Sequence, residues 1–180
     1  MRTQPLKRLL ARATVMTMAL GAALFTTALP AQAQYVSVYK NHSSLQNFAK
    51  PWTKLGIAGQ DPNYGRAGEW TATSSYSEWR ITDHPPYGHQ IREYYQPNRC
   101  LDSNAAGQAY GIVCNGGAYQ RWHFNYLATQ RDVYYNRVWN VYEIRNAATG
   151  RCLDADGVNG YTNPCNGGDY QRWFLIDINM

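Results

Sequence analysis

The sequence predicts an all-β protein built from repeats, and three observations carry that expectation. Arg99 to Trp122 (RCLDSNAAGQAYGIVCNGGAYQRW) and Arg151 to Trp173 (RCLDADGVNGYTNPCNGGDYQRW) are two copies of one unit, opening on RCLD and closing on CNGGxYQRW. The offset between copies is 52 residues at the first Cys and 51 at the second Cys, the Gln and the Trp. A unit of this size cannot bury its own apolar face and closes a core with its neighbours. Around the copies, short alternating segments are separated by Gly, Asn, Asp and Pro, with no sustained helical period. The chain is also rich in aromatic residues, with 15 Tyr and 6 Trp, which favour strands.

The first residues stand apart from this pattern. Arg2, Lys7, Arg8 and Arg12 precede an apolar run from Ala13 to Leu29, and Ala31-Gln32-Ala33 offers small residues at a cleavage site. This layout predicts a secretory signal peptide over 1–33 and export of one domain over 34–180, extracellular or periplasmic. The run is broken by Thr17, Gly21, Thr26 and Thr27, which disfavours a membrane anchor, and no other stretch is apolar enough to span a bilayer. Four of the 17 Lys and Arg lie in this segment, leaving 13 against 12 Asp and Glu. No basic block remains after cleavage, so nucleic acid is not an expected partner. The remaining 147 residues suit one domain and leave no room for a separate catalytic one.

All four cysteines lie in the two copies, a pair in each. A unit duplicated as a unit carries its own bridge, which predicts Cys100 to Cys114 and Cys152 to Cys165. Each would contribute on the order of 3 kcal/mol in an oxidising compartment. A four-cysteine metal site would need much closer pairs.

Taken in order, Tyr35 to Lys40 reads as a strand and Asn41 to Lys50 as a loop, with Asn41-His42-Ser43 a formal glycosylation acceptor. From Trp52 an eroded third copy can be traced. Trp79 aligns with Trp122 and Trp173, Ser77 with the Gln, Thr71 with the second Cys, Leu55 with the Leu of RCLD, Lys54 with its Cys and Gly56 with its Asp. Both cysteines are lost together, as bonded partners would be. Ile81 to Pro86 reads as a connection, Gln90 to Tyr95 and His123 to Tyr126 as strands, Leu127 to Tyr135 as a polar connection, and Val138 to Arg145 and Phe174 to Ile178 as strands.

The CLD opening, the second Cys before a Gly-containing turn and the closing QxW resemble the ricin B-chain-like lectin repeat. The resemblance is strong over Gln90 to Met180 and weak before it. It implies a β-trefoil of three repeats, the first degenerate, with one disulfide in each of the last two. It also implies a carbohydrate-binding function without catalysis, needing no cofactor, with glycans or polysaccharide as partner. Trefoils of this family also serve as binding subunits of secreted toxins, so a partner toxin subunit is the alternative; an aromatic patch at Trp52, Trp70, Tyr134, Tyr135 and Trp139 would favour it.

Within that frame each repeated residue has a plain reading and a functional one. Trp79, Trp122 and Trp173 are natural core residues, one per unit. Asp102 and Asp154 could each hold a turn, or accept hydrogen bonds from two neighbouring sugar hydroxyls, the role the resemblance implies. Gln120 and Gln171 could satisfy loop backbone or face a ligand. A sugar also needs an aromatic platform. The family's usual aromatic position holds Ile112 and Asn163 here, while Tyr110 and Tyr161 stand two residues earlier and Tyr119 and Tyr170 directly precede the Gln. Tyr110 and Tyr161 are the platform candidates, and the departure leaves the identity of the sugar open. Asp154-Ala155-Asp156-Gly157 begins like a calcium loop but lacks the later ligands, which favours a turn. His42, His84, His89 and His123 have no metal-ligand spacing, no Ser sits in a nucleophile elbow, and nothing pairs two carboxylates for glycoside hydrolysis.

Overall fold

In a computed structural model of the protein, residues 35–59, 65–71, 77–82 and 87–178 are described, with the backbone alone for 69–71. The expected signal segment over 1–33 lies outside the described residues. Thirteen strands form: β1 (Tyr35–Val36), β2 (Lys40–Asn47), β3 (Thr53–Ile57), β4 (Gly65–Thr71), β5 (Trp79–Thr82), β6 (Gln90–Glu93), β7 (Arg99–Ser103), β8 (Ala109–Val113), β9 (Trp122–Arg131), β10 (Val138–Asn146), β11 (Cys152–Ala155), β12 (Gly160–Asn163) and β13 (Arg172–Asp177). Two short 3-10 segments, Ala118–Gln120 and Asp169–Gln171, are described in full, and Ser77 has the same conformation.

Six strands close a barrel. β13 pairs with β2, β2 with β5, β5 with β6, β9 with β10, and β10 with β13, while the His89↔Trp122 bridge joins the β6 side to β9. Three hairpins, β3–β4, β7–β8 and β11–β12, cap one end. Four strands thus recur three times, and the molecule is a β-trefoil whose first unit runs from β2 to β5. β1 is an extra strand on the edge of β9.

The core repeats with the units. Leu45, Ile81, Ile91, Phe124, Ile144 and Leu175, one from each barrel strand, are buried together with the three tryptophans. Trp79, Trp122 and Trp173 are each fully buried. Their indole N–H groups donate to the carbonyl oxygens of Leu55, Leu101 and Leu153, each at 3.0 Å. The first copy therefore keeps both the Leu and the Trp of the unit, and the three-copy reading holds.

Its alignment needs one correction. Thr71 lies opposite Thr53 as Val113 lies opposite Arg99, so Thr71 is equivalent to Val113 and the second-Cys position falls one residue later. The first copy is one residue shorter between that position and its Trp. Trp70, opposite Lys54, consequently occupies the register position of Ile112 and Asn163.

Two loop expectations also give way. Asn41 to Asn47 is barrel strand rather than loop, although its sequence NHSSLQN offers little hydrophobicity. Position decides: β2 is paired on both sides, and of its buried polar side chains Ser43 donates to the Trp79 carbonyl at 3.2 Å and Asn47 to the Tyr170 carbonyl at 2.9 Å. Asn41 itself is exposed. Leu127 to Arg131 continues β9, paired as far as Arg131↔Val138, so the connection narrows to 132–137. Asp132, fully buried, accepts the backbone N–H groups of Tyr134 and Tyr135 and makes this tight turn. Ile81 and Thr82 belong to β5; 83–86 of the expected connection lie outside the described residues.

The register exposes a further symmetric position. Asn47 lies opposite Trp173 and Asn146 opposite Trp122. Their Nδ2 groups donate to the carbonyls of Tyr170 at 2.9 Å and Tyr119 at 2.7 Å, so each Asn of one unit holds the 3-10 turn of the unit before it around the barrel. The third equivalent is Glu93, opposite Trp79. Its carboxylate is buried, lies 3.4 Å from Arg99 Nη1, and has no hydrogen-bond partner among the described residues. Burial pushes its pKa up to about 7, against the opposing pull of Arg99. Between its unfolded value and about 7 the native state holds a proton that the unfolded chain has released, so the contribution of Glu93 to stability falls as pH rises through that window. We expect Glu93→Gln to flatten this contribution, so that the change in stability between pH 5 and pH 8 differs between variant and parent in the direction of a smaller loss at pH 8 in the variant, as read from urea titrations at the two pH values.

Candidate functional site

The CNGG segments explain themselves once folded. Asn115 and Asn166 accept through Oδ1 the backbone N–H of Gly117 and Gly168 at 2.8 and 2.7 Å. Gly116 and Gly167 between them take φ of 72° and 69°, the left-handed region that glycine enters without cost. The turn so made presents the backbone N–H of Asn115 to Gln120 Oε1 and that of Asn166 to Gln171 Oε1, each at 2.8 Å. The disulfides Cys100–Cys114 and Cys152–Cys165 form within their own copies and tie this turn to the start of β7 and to β11.

Gln120 and Gln171 are buried beneath the turn. Gln171 Nε2 donates to Pro164 O at 3.0 Å and to Asp154 Oδ2 at 2.8 Å, using both of its hydrogens. Gln120 Nε2 donates to Val113 O at 3.1 Å and also bonds Asp102. The amide thus meets loop backbone and orients the carboxylate above it. In both copies the Gln is a positioning residue.

Asp154 and Asp102 sit on β11 and β7, directly opposite Tyr161 and Tyr110 on the partner strands. Asp154 Oδ1 accepts the Ala155 N–H at 2.8 Å, and its other oxygen accepts Gln171. A carboxylate has about four acceptor positions, so these two bonds leave lone pairs on both oxygens for incoming donors. Asp102 is raised above the ordinary carboxylate range by burial, opposed by hydrogen bonds from Gln120, Tyr110 and the Ser103 backbone. The Tyr110 hydroxyl is therefore tied to the carboxylate it was expected to assist.

In the last copy these groups open onto a cavity of about 420 Å³ lined by Asp154, Ala155, Asp156, Tyr161, Asn163, Asn166, Gly168 and Tyr170. A mostly buried carboxylate, a half-buried ring in Tyr161, an exposed ring in Tyr170 and two amides converge there. The structure brings together Asp154, Tyr161 and, one layer below, Gln171, as the sequence suggests. Asn166 and Gly168 escape that reading. The signal for them was the repeated CNGG, whose turn places one asparagine and one glycine at the rim. Asp156 accepts Val158 N, Asn159 N and Asn159 Nδ2, which hold its carboxyl below the usual range and make the DADG segment a turn.

Outside this region, Trp52, Tyr134 and Tyr135 are exposed, and Lys54 Nζ lies 5.9 Å over the Tyr135 ring, linking β3 to the β9–β10 turn. Trp139 is buried in a small cluster with Val141, Phe174 and Ile176 instead, and the side chain of Trp70 is outside the described set. His89 accepts Val38 N at Nε2 and bonds the Trp122 carbonyl through Nδ1, so it serves the fold.

The family model described as ricin-type beta-trefoil lectin domain-like matches residues 118–179, about a third of the chain. Among solved structures, the designed 3-fold symmetric protein ThreeFoil aligns with a TM-score of 0.61 at 18% identity, covering 77% of this chain and 100% of that one. The mosquitocidal holotoxin aligns at 0.62 and 14% identity, but the 77% of this chain that matches spans only 17% of the toxin. The β-trefoil lectin of the Vibrio vulnificus hemolysin/cytolysin, solved with N-acetyl-D-lactosamine bound, aligns at 0.53 and 17% identity over 78% of this chain and 96% of its own. No curated protein matches the sequence. The chain thus resembles the ricin-type lectins in motif and shares the β-trefoil fold with lectins and toxins.

Replacing Gln171 by Ala removes three hydrogen bonds at once and leaves the Asn166 N–H and the Pro164 carbonyl without their partner. We expect a loss of about 1–3 kcal/mol in chemical denaturation, and a comparable loss for Gln120→Ala.

Proposed function

We propose that this protein is an exported, non-catalytic lectin whose principal sugar site is the Asp154 cavity. The observation that carries this reading is the convergence of a fixed carboxylate and tyrosine rings in one open cavity. Asp154 accepts two adjacent hydroxyls, Tyr161 or Tyr170 supplies the apolar face for sugar C–H groups, and Gln171 keeps the carboxylate aimed. Asp102 and Tyr110 form the equivalent site in the middle copy. A single shallow site binds weakly, and two on one rigid body gain avidity on a glycan-coated surface when both can engage. Glycans or polysaccharide are the partners, and no cofactor enters.

One observation favours a second reading, a delivery subunit for a partner toxin: Trp52, Tyr134 and Tyr135 are exposed, and none of them lines the Asp154 cavity. The relation to a segment of the mosquitocidal holotoxin is compatible with it.

A glycan array with the oxidised protein beside Asp102→Ala and Asp154→Ala separates the readings. The lectin reading expects Asp154→Ala to weaken binding at least about tenfold and the double variant to abolish it. A folded parent that binds no glycan would end that reading and turn the search to a protein partner. Because burial raises the Asp102 pKa, acidification protonates this carboxylate earlier than an ordinary Asp and removes acceptors. In an Asp154→Ala background, residual binding should therefore decline as pH is lowered toward the carboxylate range, as measured by calorimetry at stepped pH.

A further inference from the structure

The three cap hairpins meet through Arg66↔Tyr110 and through the bridges Gln108↔Tyr161 and Gly68↔Asn159. At their junction lies a second cavity, about 270 Å³, lined by Arg66, Gln108, Ala109, Asn159, Gly160 and Tyr161. The register shows what its polar residues have in common. Ala67 lies opposite Ile57, Ala109 opposite Ser103 and Gly160 opposite Ala155, so these three small residues are equivalent, and so are the residues before them, Arg66, Gln108 and Asn159. The three units each send one polar side chain to the pseudo-threefold junction, followed by a small residue that lets the hairpins approach. A Cβ on Gly160 would meet Leu55 Cδ1 at 2.8 Å and Ala67 Cβ at 3.3 Å.

From this geometry we propose, resting on the lectin reading above, that the junction cavity is a subsite for the carboxylate or sulfate of an acidic saccharide whose neighbouring neutral sugar occupies the Asp154 cavity. Two features support it. The cavities share Tyr161, and the turn between β11 and β12 contributes Asp156 to one and Asn159 to the other, so a chain of two or three sugars can run from one to the other across that ring. The junction also presents hydrogen-bond donors. Arg66 is exposed, and among the described residues its guanidinium has no hydrogen-bond or ion-pair partner. Gln108 Oε1 already accepts Asn104 Nδ2 at 2.8 Å, so its amide nitrogen is the group left for a ligand. Asn159 commits its Nδ2 to Asp156, and its Oδ1 is an acceptor suited to a sugar hydroxyl. The carboxylate of that turn, Asp156, is taken up by three N–H donors. A planar guanidinium beside an amide donor matches an oxyanion with two acceptor oxygens.

The test compares neutral oligosaccharides with their uronate-terminated or sulfated counterparts, and with inorganic sulfate alone, against the parent, Arg66→Gln and Asp154→Ala. Arg66 is exposed, so the variant should fold, checked by an unchanged thermal midpoint. The parent is expected to prefer the acidic form, and Arg66→Gln to lose about tenfold or more on it while binding the neutral form as before. The preference should also weaken with added salt in the parent and not in the variant. Equal binding of both forms by the parent, a preference that survives Arg66→Gln, or competition by inorganic sulfate matching that of the acidic saccharide would each overturn the proposal. Failure of the underlying lectin reading is recognised separately, by Asp154→Ala binding neutral sugars as the parent does.

Discussion

One hydrogen bond, made three times, sets the geometry of this molecule: the indole N–H of each closing Trp to the carbonyl of the Leu in the opening strand. It ties the last barrel strand of a unit to its cap hairpin and satisfies a polar group that burial would otherwise leave costly. With the indoles fully buried, each contact joins a large apolar contribution to a directional constraint. The hairpins cannot slide relative to the barrel without breaking it, and the pockets are built on those hairpins.

The closing motif is best understood as a set of hydrogen bonds. Asn folds the glycine turn, Gln receives the turn's N–H and returns its own hydrogens to the loop carbonyl and the Asp, and the disulfide fastens the turn to the strand carrying that Asp. Five letters of the repeat thus serve one carboxylate. That is why the eroded copy, having lost the Asp position to Gly56, has also lost the Gln and the first Cys, while keeping Leu55 and Trp79.

What the sequence revealed follows from what repeats. The Cys, Asp, Gln and Trp positions were legible because the same letters recur at a fixed offset, and the bridges, the core tryptophans and the last pocket came with them. Strand β2 was not, because NHSSLQN owes its conformation to barrel neighbours more than 30 residues away and not to its own pattern. The extension of β9 was hidden for a related reason: Tyr126, Leu127 and Gln130 are all exposed, so this half of the strand carries no alternation of buried and exposed residues. The junction residues Arg66, Gln108 and Asn159 share a place but no chemistry, so sequence similarity could not align them and only strand register does.

The exchange of asparagines between units has an evolutionary consequence. Asn47 of the first unit steadies the turn of the last, and Asn146 of the last steadies that of the middle one. No pocket is therefore the property of its own repeat, and the first unit is held to its sequence by a site it does not contain. The middle unit owes the same service to the first, and there the Asn has become Glu93. The departure from Asn falls at the contact that would serve the first unit, which also lacks the Asp and the Gln, so it follows the circuit of contacts around the barrel rather than the boundaries of the repeats.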